Sequence, residues 1–137
     1  MIPPVAWTYS RERTILFLIY SLGFLVGTYN HVVGVIRYGL FTVRTAPLGF
    51  TIYWDLLTLL DPLAVLLLWT KPRTGIALAV GIMISDIVIN SYAYSAGYFA
   101  VKPMAGMVPL ALLLQSVFGT FIFATAPLAY KLESRTT

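Results

Sequence analysis

FTIYWDLLTLLDPLAVLLLW, residues 50–69, decides the fold. At about 1.5 Å per residue the stretch is long enough to cross a bilayer core about 30 Å thick. Its apolar run is nevertheless broken by two carboxylates, Asp55 and Asp61. A charged side chain near the bilayer centre costs about 3 kcal/mol or more, so an acid at that depth needs a partner or a task. A third such acid, Asp86, lies in ISDIVINSY, residues 84–92. The only other acids, Glu12 and Glu133, sit in the polar ends.

Composition agrees with a membrane protein. The chain has 137 residues, 59% hydrophobic and 10% charged, whereas soluble domains run near half apolar and about a quarter charged. The reading is an all-α polytopic membrane protein, a four-transmembrane-helix bundle forming one domain over residues 1–137. The expected spans are about 14–36, 50–69, 74–98 and 105–130. The length leaves no room for a separate soluble catalytic module. The start, MIPPVAWTYSRERT, does not read as a signal peptide. Its apolar part is short, broken by proline, and precedes the basic residues. Trp7 and Tyr9 read as an interfacial anchor.

The net charge of +4 comes from basic residues spread over termini and loops. It points to lipid head groups and helix orientation, not to nucleic acid. Arg11, Arg13, Lys71, Arg73, Lys131 and Arg135 share one face of a four-span protein; Arg37, Arg44 and Lys102 share the other. That bias places both termini in the cytoplasm. Which membrane hosts the chain is left open. Cysteine is absent, which excludes disulfides, thiolate catalysis and Cys-ligated metals.

Depth brings the polar residues together. Measured from the face opposite the termini, Asp61, Asp86 and Gln115 lie roughly 15–18 Å deep, near the midplane. Asn30, His31, Asp55 and Asn90 lie roughly 8–12 Å deep on the same side. A polar cavity inside the bundle, open to that face or sideways to lipid, accounts for the agreement. Asp86 and Asn90 are four residues apart and share a helix face. Trp54 and Asp61, seven apart, share another. Pro62 removes a backbone hydrogen bond from the Thr58 carbonyl and is expected to bend the second span. Pro109 and Pro127 are expected to act likewise on the fourth.

No Lys or Arg lies at the depth of Asp61 and Asp86. Each is therefore protonated, hydrogen-bonded, or matched to a cationic ligand, and two aspartates at one depth can share a proton. Asp55 is shallower and within reach of Arg37 or Arg44. His31, the only histidine, lies in the same shallow layer as Asp55. One His and three Asp match no metal-ligand spacing, so neither metal nor cofactor is expected. Trp54, Tyr53, Tyr29, Tyr92 and Tyr94 lie at or above the acidic layer, where aromatic faces suit cations. Asn30, Asn90 and Gln115 have a competing role as ties between helices. Gly23, Gly27, Gly34, Gly81, Gly106 and Gly119 read as points of close helix approach.

Four pieces carry a family resemblance. They are TYNHVVGVIRYG (28–39), YWDLLTLLDPLAVLLLW (53–69), ISDIVINSY (84–92) and TAPLAYKL (125–132). Their layout resembles the EXPERA group, which includes emopamil-binding protein and the sigma-2 receptor. Small bacterial four-span proteins of the DoxX-like type match equally well. The EXPERA resemblance implies cytoplasmic termini and a ligand cavity holding intramembrane acids, with Asp55 or Asp61 as the acid of the second span. Asn30 and His31 stand where the family would place another acid, a departure that weakens any isomerase reading.

The leading expectation is a site for a small amphiphilic, cationic or sterol-like ligand. Asp61 and Asp86 would be its charge partners, with His31, Asp55, Asn90, Gln115, Asn30 and Trp54 as lining. A lipid or sterol isomerase using Asp/His proton transfer is the alternative, with catalytic residues left unassigned. A third reading is a small proton-coupled transporter acting as a homodimer or larger oligomer. A fourth is an assembly subunit whose polar residues only join helices.

Overall fold

The computed structural model describes residues 11–99 and 109–134. Four helices fill them: α1 (Arg11–Tyr38), α2 (Leu48–Thr70), α3 (Pro72–Ser95) and α4 (Leu110–Ser134). All four are long and apolar enough to cross a membrane, and no strand occurs among the described residues. The shortest, α2, has 23 residues, or about 34 Å. Leu22, Leu59, Leu66, Val88, Leu114 and Val117 are all exposed along the helix sides. A continuous apolar coat of this kind is a lipid-facing surface.

Each helix packs on the next, and α4 returns to α1. The ends of α1 and α4 are joined by the ion pair of Arg13 Nε with Glu133 Oε2 at 2.9 Å. The Tyr20 hydroxyl donates to the Ile122 carbonyl at 3.2 Å and lies 2.7 Å from Thr125 Oγ1. Phe24 meets Phe118 edge to face at 5.6 Å, and Phe17 meets Trp69 likewise at 5.7 Å. Every buried residue of α1 lies between Arg13 and Phe24. The bundle is therefore tightest at the terminal face, and the second half of α1 is more open.

Two connections set the geometry. Between α2 and α3 only Lys71 intervenes, and Pro72, whose fixed φ suits a first helical position, opens α3 at once. The turn is so tight that a Cβ on Gly75 would collide with the backbone of Leu67 and Leu68. The α1–α2 loop begins at Gly39, whose φ of +86° caps α1 by turning the Gly39 N–H onto Val35 O at 2.8 Å. Phe41 follows with φ 53°, a left-handed conformation uncommon for a bulky residue. Its N–H donates to Asp55 Oδ2 at 2.7 Å, which holds the strained residue in place.

Several expectations change at the edges. α1 starts three residues before residue 14, at Arg11, and α3 stops at Ser95, short of residue 98. Glycine explains the second shift: Gly97, at φ +76°, turns the chain after the helix. Pro62 does not interrupt α2, which runs unbroken to Thr70. Pro109 stands before α4, where a missing N–H costs nothing, and so bends no helix. Gly23, Gly27 and Gly119 are points of close approach, whereas Gly81 has nothing within 4 Å of an added Cβ. The expected start of the fourth span at residue 105, and Trp7, Tyr9, Lys102, Gly106 and Arg135, lie outside the described residues.

Gly75→Ala is expected to destabilise the bundle by about 1–3 kcal/mol, the usual cost of overpacking. Gly81→Ala is the control and should be neutral or better. Unfolding of both variants in detergent by a denaturing surfactant checks this; equal midpoints would contradict the tight turn.

Candidate functional site

The polar residues of α1–α4 resolve into three groups with different degrees of satisfaction. The first is closed. Asp55, buried on α2, accepts from Arg44 Nη2 at 2.7 Å through Oδ1 and from the Phe41 N–H at 2.7 Å through Oδ2. The same Nη2 donates to the Gly39 carbonyl at 3.1 Å, and the guanidinium lies 5.3 Å from the centre of the Tyr38 ring. Gly34 leaves room for this: a Cβ there would stand 3.3 Å from Arg44 Nη1. Asp55 thus ties the α1–α2 loop onto α2. Of the two arginines within reach in the sequence, Arg44 is the partner.

The second group is a relay of hydrogen bonds across three helices. Trp54 Nε1 on α2 donates to Asn90 Oδ1 on α3 at 2.7 Å. Asn90 Nδ2 in turn donates to Asp86 Oδ1 at 2.9 Å and to Gln115 Oε1 on α4 at 2.8 Å. The spacing of four between Asp86 and Asn90 lets one amide serve both acceptors. Gln115 Nε2 is buried without a partner among the described residues. Aromatic rings cover the loop end of this relay. Phe50 stacks on Tyr92 at 5.9 Å, and Trp54 lies 6.0 Å from Phe50 and 6.3 Å from Phe99.

The third group is the least satisfied. Asp61 is 3% exposed, and its Oδ2 lies 3.9 Å from His31 Nε2, beyond hydrogen-bond range. No hydrogen bond to it occurs among the described residues. It is close enough to Asp86 to interact electrostatically. Gly27 makes its position possible, since a Cβ there would stand 2.6 Å from Asp61 Oδ2. Gly27 and His31 are one turn apart on α1, so one face of α1 supplies both the space and the imidazole. Thr58, one turn before Asp61 on α2, has a buried hydroxyl with no partner among the described residues.

The structure thus brings together Asp61 and His31, and separately Asp86, Asn90, Gln115 and Trp54. One expectation needs correction. Asn30 is exposed; the rotation of about 100° per residue that turns His31 inward carries its neighbour outward. His31 Nε2 stands 3.9 Å from Asp61 Oδ2 and is also close enough to Asp55 to interact with it electrostatically, while Arg44 is the direct partner of Asp55. A groove of about 260 Å³ beside Phe50 and Tyr53 is lined by none of the aspartates. Sequence reasoning missed Thr58 Oγ1 as a polar group of the site, and it gave Gly27 only a packing role. The shared face of Gly27 and His31 was the available signal. No protein-family model, characterised protein or solved structure matches the chain.

Asp55→Ala is expected to cost about 3–5 kcal/mol, because it leaves the half-buried Arg44 charge without its carboxylate. The paired change with Arg44→Gln should cost less than the two single changes summed. A double-mutant cycle of unfolding in detergent measures this. Simple additivity would show that the pair carries no coupling.

Proposed function

We propose that the protein binds a small cationic amphiphile within the bilayer, with Asp61 as its charge partner. The observation that carries this is the state of Asp61: a buried carboxyl with no donor among the described residues and no Lys or Arg beside it. Buried polar groups are normally hydrogen-bonded, so each exception requires an explanation. Thr58 Oγ1 and Gln115 Nε2 add unused hydrogen-bonding capacity on α2 and α4. A ligand bearing one ammonium group and an apolar body would use that capacity and replace the lost hydration of the carboxylate.

Asp86 acts as the second charge of the site, and Asn90 and Gln115 hold it in orientation. The rings of Trp54, Phe50 and Tyr92 offer faces suited to a cation on its way in. Entry is lateral, beside the loop-side half of α1, where His31 is half-buried and no residue of the helix is fully buried. The resemblance to the EXPERA group supports the same reading, with Asp61 rather than Asp55 as the ligand acid. The terminal face, richer in Lys and Arg, is read as cytoplasmic.

One observation favours a second reading. His31 Nε2 and Asp61 Oδ2, 3.9 Å apart, form an acid–base pair able to move a proton on an apolar substrate such as an isoprenoid or sterol double bond. Turnover of such a lipid, lost in His31→Ala, separates catalysis from binding alone.

The binding proposal is tested by titrating the purified protein with a tertiary-amine amphiphile and with its neutral amide analogue. The amine alone should raise the unfolding temperature. Asp61→Asn should weaken amine binding roughly 10–100-fold, as expected for loss of a hydrogen bond to a charged group worth about 1.5–3 kcal/mol. Equal stabilisation by amine and amide, or an unchanged affinity in Asp61→Asn, defeats the proposal.

A further inference from the structure

A groove of about 340 Å³ runs between α3 and α4 on the outer surface, away from the aspartates. Its walls are two matched stripes. On α3 they are Arg73, Ile76, Ala77 and Val80, and on α4 Tyr130, Pro127, Ala126 and Phe123. Both stripes follow the i, i+3, i+4, i+7 spacing of one helix face, and because the helices are antiparallel they run in register. Arg73 stands opposite Tyr130, its guanidinium 5.6 Å from the ring centre. Seven residues further along α3, about 10 Å deeper, Val80 and Phe123 close the other end.

The groove is therefore polar at one end and apolar along its length. Ala77 and Ala126 hollow its middle with small side chains. Its polar end lies in the first turn of α3, at the terminal face of the bundle, where a head group would stand. Arg73 is exposed, and no carboxylate pairs with it among the described residues. Arginine binds phosphate through a planar fork of donors and is less strongly hydrated than an ammonium group. An apolar slot of this depth with a cation at its mouth matches an acyl chain below an anionic phosphodiester.

We infer that the α3–α4 groove is a specific site for an anionic phospholipid, with the phosphate on Arg73 and one acyl chain between Ala77 and Ala126. The site is independent of the ligand proposed for Asp61.

Native mass spectrometry of the full chain in detergent tests this, with dioleoyl phosphatidylglycerol, dioleoyl phosphatidylcholine and inorganic phosphate as probes. Phosphatidylglycerol should bind roughly fivefold more tightly than phosphatidylcholine, the effect of one basic side chain at an anionic surface. Arg73→Gln should bring that ratio to about one, and Arg11→Gln, on α1 and outside the groove, should leave it unchanged. Filling the groove by Ala77→Leu with Ala126→Leu should weaken both lipids together. Inorganic phosphate should not displace either lipid. Equal binding of the two lipids by the unmodified chain, or a preference that survives Arg73→Gln, overturns the inference. So does displacement by inorganic phosphate, which would reduce the site to a bare anion contact. A groove-filling change that splits a dimer and leaves lipid binding intact would assign the groove to a second copy of the chain instead.

Discussion

Lipid gives apolar helices no hydrophobic reason to prefer one register over another, so in this bundle register falls to a few polar contacts. Trp69 Nε1, donating to Ser21 Oγ at 3.0 Å, sets α2 on α1. The amide of Asn90 sets α2, α3 and α4 together through Trp54, Asp86 and Gln115. Tyr20 with Thr125, and Arg13 with Glu133, close α4 onto α1. Dispersion between side chains such as Phe24 and Phe118 then fills the spaces that these contacts define. The polar residues are thus few because each fixes an interface, and those left unsatisfied stand out for the same reason.

This separates the three aspartates by circumstance. Asp55 has a cation, a backbone donor and a structural duty in holding Phe41 left-handed. Asp86 has one amide donor, shared with Gln115. Asp61 has a glycine that makes room for it and an imidazole just out of reach. The engaged aspartate lies nearer the loop, and the two less engaged ones lie nearer the midplane.

Much of this was legible in the sequence. Hydropathy and length give four spans because nothing else accommodates such apolar runs. Counting 1.5 Å per residue put Asp86 and Gln115 at one depth and Asn90 in a shallower layer, and the Asn90 amide joins the two. Depth alone, however, says nothing about rotation. Asn30 and His31 share a depth and point in different directions, so one belongs to the site and the other does not. Depth also ignored competition: His31 and Asp55 match in level and interact electrostatically, but the loop folds Arg44 back onto Asp55 as its direct partner. The loop's path depends on positive φ at Gly39 and Phe41, and nothing about Phe41 announces it.

The single-residue turn at Lys71 also bears on how the chain reaches its membrane. A link of one residue offers no polar loop that one helix can leave on a surface while the other crosses. α2 and α3 must therefore enter the bilayer as one hairpin. Asp61 and Asp86 are both carried on that hairpin, so the two costliest residues of the chain are dehydrated in a single event and in each other's company. A proton held between them at that moment would lower the cost of insertion for both.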